Sequence, residues 1–250
     1  MVLGETGVGK STMGNRFSGH DPLSESAPFP VSAIPDGRTT ETQVVTAYFR
    51  GEIDRPFRLV DTQGFNEPGT PDNPKSSFNL HIMNDIMKKL TEVDQVGVFL
   101  ICLPGISNRI TNSLIYMLRF FRDIFGYKML NSVPVRDHAV FWDNCVIAYT
   151  KVPMDARSVS RRIANQKQMS DDEVAKHCIK DLAKALQIDQ SQLRYVIIDS
   201  CFDETVTEEK HAYLSQSEKL YRTLGRNRPA MTLAMTAAYY KIEQGNLLSN

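Results

Sequence analysis

No stretch of this 250-residue chain is apolar for the ~20 residues that crossing a bilayer requires, so an integral membrane helix is not expected. Net charge is lacking too: 29 basic residues balance 29 acidic ones, which leaves no electrostatic footprint for nucleic acid or an anionic surface as the main partner. There is no C-x-x-C pair. The four cysteines (Cys102, Cys145, Cys178, Cys201) lie far apart, and three sit in or beside apolar strand-like runs, which fits a reduced, intracellular chain. The five histidines form no H-E-x-x-H or other paired spacing, which argues against a His/Cys metal centre. Internal repeats, low-complexity tracts and a signal-peptide pattern are also missing, so a cytoplasmic protein is expected. What remains is an ordinary globular composition, 42% hydrophobic and 23% charged, in a chain long enough to bury a sizeable core.

Strand-like and helix-like segments alternate. Met1–Leu3 reads as a strand stub, Gly4–Gly9 as a loop and Lys10–Phe17 as the start of a helix. Residues 19–43 are rich in Pro, Ser, Asp and Gly and read as a long loop. Val44–Arg50 and Phe57–Asp61 are close enough for an antiparallel hairpin at one sheet edge. A second Pro- and Gly-rich loop follows from Thr62 to Lys75, then a helix over Asn79–Leu90. The apolar run Val96–Leu103 predicts a strand buried on both faces, as does Cys145–Tyr149. Thr111–Phe125 has helical spacing with Gly126 as terminator. Ser170–Leu186 opens with an N-cap and first-turn acids, Tyr195–Asp199 is the last strand, and Glu208–Leu224 and Ala230–Gln244 are two further helices. The expected architecture is α/β: three layers with a mostly parallel central sheet, one antiparallel edge strand and extra C-terminal helices. Residues 1–205 are expected to form this α/β domain and 206–250 a helical extension packing on or beside it.

Gly4-Glu-Thr-Gly-Val-Gly-Lys-Ser11 matches G-x-x-x-x-G-K-[ST] in full. In this motif glycines let the backbone turn tightly, so that successive N–H groups point at phosphates. Gly4, Glu5, Thr6, Gly7, Val8, Gly9, Lys10, Ser11 and Thr12 are therefore the candidate phosphate cradle. Lys10 reaches the β/γ-phosphates and the Ser11 hydroxyl is a Mg²⁺ ligand. Asp61-Thr-Gln-Gly64 follows a strand about fifty residues later, where a carboxylate for the Mg²⁺ shell and a close-approaching Gly64 backbone are needed. Arg38-Thr-Thr-Glu-Thr42 precedes the first edge strand. Thr40, with Thr39 the alternative, is the candidate for a hydroxyl on Mg²⁺ and a sensor of the γ-phosphate. Lys10, Thr40 and Gly64 are the candidate catalytic set, and Ser11, Thr40 and Asp61 the candidate metal set.

Base recognition is less clear in the residues. Guanine specificity in GTPases comes from an [NT]-[KR]-x-D element after a strand. Here the strand ends Tyr149-Thr150-Lys151, and Pro153 stands where the Asp should be. Thr150 and Lys151 are retained as candidates, and Asp155 could substitute if the loop bulges. The water-positioning Gln that follows the Gly of D-x-x-G in small GTPases is replaced by Phe65, so intrinsic hydrolysis is expected to be slow. Gln63 precedes the Gly. No arginine finger can be assigned in cis, and Arg16, Arg38 and Arg109 are candidates for contacts in trans.

These motifs, with Arg109-Ile-Thr111 followed by a long helix ending Phe125-Gly126, resemble the AIG-type immunity-associated (GIMAP) GTPases of the septin-like branch. The resemblance covers roughly residues 1–205. It implies GTP and GDP as ligands with Mg²⁺, a nucleotide-dependent homodimer or oligomer, and peripheral association with intracellular membranes. It also puts Ser200, after the last strand, among the base contacts. The stub Met1–Leu3 is shorter than the family's first strand and is expected to leave sheet groups unpaired, as a clipped chain would. Pro153 and the missing C-terminal membrane segment are the other departures. Beside a slow GTPase stand two alternatives: a scaffold that binds nucleotide with negligible turnover, and a P-loop protein specific for ATP.

Overall fold

The computed structural model describes residues 1–31, 39, 41–65, 75–93, 95–106, 110–131, 133–224 and 231–232. Six strands form the main sheet. They are β1 (Val2–Leu3), β2 (Gln43–Tyr48), β3 (Pro56–Asp61), β5 (Phe99–Pro104), β8 (Cys145–Thr150) and β9 (Arg194–Ile197), in the order β2-β3-β1-β5-β8-β9. Every pairing is parallel except β2 with β3, the antiparallel edge hairpin. Between these strands run α1 (Lys10–Phe17), α2 (Lys75–Val93), β4 (Gln95–Val96), α3 (Asn112–Phe125), the hairpin β6 (Tyr127–Leu130) and β7 (Val133–Arg136), and α4 (His138–Asp143). After β8 come α5 (Ala156–Asn165) and α6 (Asp171–Leu186). After β9 come α7 (Thr207–Leu224) and β10 (Met231–Thr232), which pairs antiparallel with β4.

The central strands alternate their side chains between two apolar layers, as a pleat with helices on both faces requires. Phe99 and Ile101 of β5, with Cys145, Ile147 and Tyr149 of β8, face α2, α3, α4 and α6. Leu100, Cys102, Val146 and Ala148 face α1 and α7, where Met13, Phe17, Tyr213 and Leu220 are buried. The fold is the expected three-layer α/β arrangement. Cys102, Cys145 and Cys178 are buried, whereas Cys201 is exposed.

Several expectations need correction. Val96–Leu103 is not one strand: β4 ends at Val96, and β5 begins at Phe99 after the interruption Gly97–Val98. Glycine inside an apolar run weakens the strand at that point. Val44–Arg50 stops at Tyr48 in a short 3-10 turn in which Arg50 has φ 55. The last strand ends at Ile197, two residues before Asp199. Gly126 closes α3, but at φ −82 and not in the left-handed region; a Cβ there would lie 2.4 Å from the Arg122 carbonyl oxygen. β1 is only two residues long, yet it pairs on both sides, Val2 with Asp61 and Leu100, and Leu3 with Ile101. The expected helix over Ala230–Gln244 lies outside the described residues, apart from Met231–Thr232 in β10.

Candidate functional site

The site gathers where β1, β3, β5 and β8 end, at the carboxyl edge of the parallel strands, which is where open α/β sheets bind ligands. The loop Gly4–Gly9 leaves β1 and enters α1 through Gly9, whose φ of 93 is left-handed and unstrained only for glycine. No side chain caps the N-terminus of α1, and its first turn carries no acid. That end therefore presents N–H groups that no side chain caps and a positive dipole, both suited to an anion. Lys10 is buried and its ammonium donates to the Glu5 carbonyl oxygen at 3.0 Å, which folds the side chain over the loop.

Asp61 closes β3 beside this loop. Its Oδ2 accepts from the Ser11 hydroxyl at 2.7 Å, and Ser11 Oγ lies 3.1 Å from Thr39 Oγ1. Asp61 Oδ1 is buried without a hydrogen-bond partner among the described residues. Burial pushes the Asp61 carboxyl above its ordinary value, opposed by the Ser11 hydrogen bond and the charge of Lys10. A buried carboxylate oxygen with no donor, next to two hydroxyls, is a donor set for a hard divalent cation. Ser11, Thr39 and Asp61 thus fit Mg²⁺ by chemistry. Thr40 and Arg38 lie outside the described residues, and of the two threonines considered it is Thr39 that touches Ser11.

Gly64 and Phe65 are bound to the P-loop. Thr6 N–H donates to the Phe65 carbonyl at 3.0 Å, and Phe65 N–H donates to the Gly4 carbonyl at 3.3 Å. A Cβ on Gly64 would fall 2.2 Å from Thr6 Oγ1 and 2.4 Å from its Cα, so only glycine permits this approach. The Phe65 ring is 1% exposed, packed in the core with Leu3 and Ile82. The residue after the D-x-x-G glycine therefore faces the core and supplies no polar group to the phosphate end. Gln63 is buried as well.

A contact that the sequence did not reveal joins this loop to α3. Thr111 Oγ1 donates to Glu5 Oε1 at 2.5 Å and accepts from Leu114 N–H at 3.1 Å, so one hydroxyl both caps the helix and holds the P-loop. Its neighbour Arg109 lies outside the described residues.

On the other side, Thr150 Oγ1 donates to the Val8 carbonyl at 2.5 Å, and the Lys151 stem lies 3.7 Å from where a Gly9 Cβ would stand. Thr150 and Lys151 are thus brought against the P-loop. Asp155 is used differently: its carboxylate accepts from Ser158 N–H at 2.8 Å and caps α5, a helix for which no expectation was formed. Ser200 is 1% exposed and its hydroxyl has no partner among the described residues, while its carbonyl accepts from Arg16 Nε at 3.4 Å. Arg16 also pairs with Glu204 and stacks over Phe202, so it is committed within the fold.

Residues 1–123 match the family model described as 50S ribosome-binding GTPase. Fold and phosphate loop together are those of the P-loop GTPase class of α/β folds. No curated protein matches the chain. Among solved structures, a dimerization-deficient mutant of Toc33 from Arabidopsis thaliana superposes with a TM-score of 0.60 at 14% identity, covering 92% of this chain and 85% of that one. Toc33 in complex with GDP and Mg²⁺ gives 0.56 at 14% identity over the same shares. LeoA, a bacterial dynamin GTPase from ETEC, gives 0.52 at 13% identity, covering 99% of this chain and 39% of that one.

Proposed function

We propose that this chain is a guanine-nucleotide switch of the AIG-type branch: it binds GTP and GDP with Mg²⁺, hydrolyses GTP slowly, and pairs with a second copy when GTP is bound. The observation that carries the reading is the contact of Ser11 with Asp61 at 2.7 Å beside Lys10 and the uncapped N-terminus of α1. Lys10 and the P-loop amides would hold the phosphates, and Ser11, Thr39 and Asp61 would hold the cation, which supplies charge neutralisation at the β- and γ-oxygens. Toc33 crystallised with GDP and Mg²⁺, and with GMPPNP and Mg²⁺, supports the choice of ligand. A reported dependence of GTPase activity on dimerisation in atToc33 and psToc159 supports pairing in the active state.

Slow turnover follows from Phe65. A hydrogen-bonding side chain there would orient the attacking water, and a ring buried in the core cannot. The same observation favours a second reading, in which the chain is a nucleotide-dependent scaffold with negligible hydrolysis. Single-turnover hydrolysis, followed together with sedimentation in GDP and in GMPPNP, separates the two. A switch gives slow hydrolysis that rises with protein concentration and a dimer in GMPPNP alone. A scaffold gives the dimer without hydrolysis. A monomer in both nucleotides with fast turnover would contradict both readings.

A further inference from the structure

Pro153 leaves the base loop without its usual carboxylate, and the fold offers two others nearby. Asp155 is spent: its oxygens cap α5, and hydrogen bonds from Ser158 hold its carboxyl below the ordinary range. The loop itself is pinned, because Arg162 donates to the Pro153 carbonyl at 2.6 Å while also pairing with Asp171. Val152 is buried, so sliding Asp155 toward the base would break a cap, a clamp and a core contact together.

Asp199 differs on each count. It follows β9, whose register on β8 sets Tyr149 opposite Ile197, and Ile198 N–H donates to the Tyr149 carbonyl at 2.9 Å. Asp199 therefore emerges beside Thr150 and Lys151. The parallel β8–β9 register sets this residue at the same strand-end edge as the Lys151–Pro153 loop. The residue is 5% exposed. Its backbone is fixed by a bond from its N–H to Gln216 of α7 at 3.2 Å, and Oδ1 accepts from Cys201 N–H at 2.9 Å. Oδ2 has no hydrogen bond among the described residues and is not sealed from solvent. Burial pushes this carboxyl up, as expected for an acid short of donors.

We infer that Asp199 is the residue that reads the guanine base, taking over from the β9 side the role that Pro153 cannot perform from the β8 side. This rests on the guanine-nucleotide reading above. Guanine presents N1–H and the 2-amino group side by side, two donors that a carboxylate accepts together. Adenine presents an acceptor at N1, which a carboxylate repels, and xanthine replaces the 2-amino group by a carbonyl.

Exchanging the carboxylate for an amide tests this on the full chain with Mg²⁺, by competition of GDP, XDP and ADP against a fluorescent GDP. Wild type should prefer GDP to XDP. In Asp199→Asn, whose amide can donate to the xanthine 2-carbonyl, the GDP-to-XDP ratio should fall roughly 100-fold. Asp155→Asn, which keeps a good helix cap, should leave the ratio where it is. As a second variant, Asp199→Ala should abolish the preference of wild type for GDP over IDP, which lacks the 2-amino group; a folding defect would weaken both ligands alike. An unchanged ratio in both Asp199 variants, or a shift in Asp155→Asn instead, overturns the inference and leaves guanine binding intact. Failure of wild type to bind GDP, or tighter binding of ADP, overturns the inference and the guanine reading together.

Discussion

The proposed phosphate end and the proposed base end of this candidate site are built in opposite ways. At the phosphate end, eight consecutive residues make a loop and a helix start, and one strand-end carboxylate completes the set through Ser11. The chemistry there is local and tied to the backbone. At the base end, Thr150, Asp155, Arg162, Asp199 and Gln216 come from β8, the β8–α5 loop, α5, the segment after β9 and α7. That end is assembled by the sheet and has no contiguous motif. On the Asp199 proposal, a proline on the β8 side is offset from the neighbouring strand, an exchange between elements that one contiguous loop does not offer.

Lys10→Ala should expose the contrast most strongly. Truncating a buried ammonium folded over the P-loop should weaken GDP, XDP and ADP together, each by roughly a thousandfold, or ~4 kcal/mol, without changing their ratios. Competition binding checks this, and a loss confined to one base would erase the distinction between the two ends. Phe65→Gln should not raise hydrolysis, because the side chain points into the core, and should cost about 3 kcal/mol of stability by denaturant titration. A faster variant would show that the loop can turn outward. Ser11→Ala should remove most of the gain in GDP affinity that Mg²⁺ brings, about tenfold, while base ratios stay fixed.

Thr111→Val should cost about 1 kcal/mol through the lost α3 cap and also speed GDP release through the lost tie between α3 and the P-loop, whereas Thr111→Ser should restore both. Stopped-flow release and thermal melts read the two effects separately. The smallest effect concerns α7. Hydrogen bonds from Arg55 and Arg222 hold Glu218 below its ordinary value, and it joins α7 to Arg50 and Arg55 of the edge hairpin. A depressed carboxyl contributes stability above its unfolded value and loses it as pH falls through the folded one. The hairpin–α7 contact should therefore hold above pH 4.5 and weaken below it, with Glu218→Gln flattening that dependence in hydrogen exchange. The pair is partly exposed, so the change is small.

How far the sequence could be read follows the same divide. The P-loop, the D-x-x-G segment and the alternating strands were legible because each needs only neighbouring residues, and glycine, lysine and serine have fixed jobs there. The hairpin Tyr127–Leu130 with Val133–Arg136 left a weaker signal: Asn131 takes φ 49, as a tight two-residue turn demands, but Pro134 obscures the second strand. The helix α5 was missed because its apolar side amounts to Val159 and Ile163, half-buried among Ser and Arg, and none of its residues is fully buried. The Thr111–Glu5 bond spans 106 positions and the Asp199 placement depends on strand register, so neither is visible without the fold. The expected Thr40 contact lies outside the described residues, while Thr39, its alternative, meets Ser11.

The most direct test is calorimetric titration of the full chain with GDP and with ADP in Mg²⁺, beside the Lys10→Ala variant. The account predicts tight GDP binding, weak ADP binding and loss of both in the variant. ADP binding as tight as GDP, or GDP binding that survives Lys10→Ala, would contradict it.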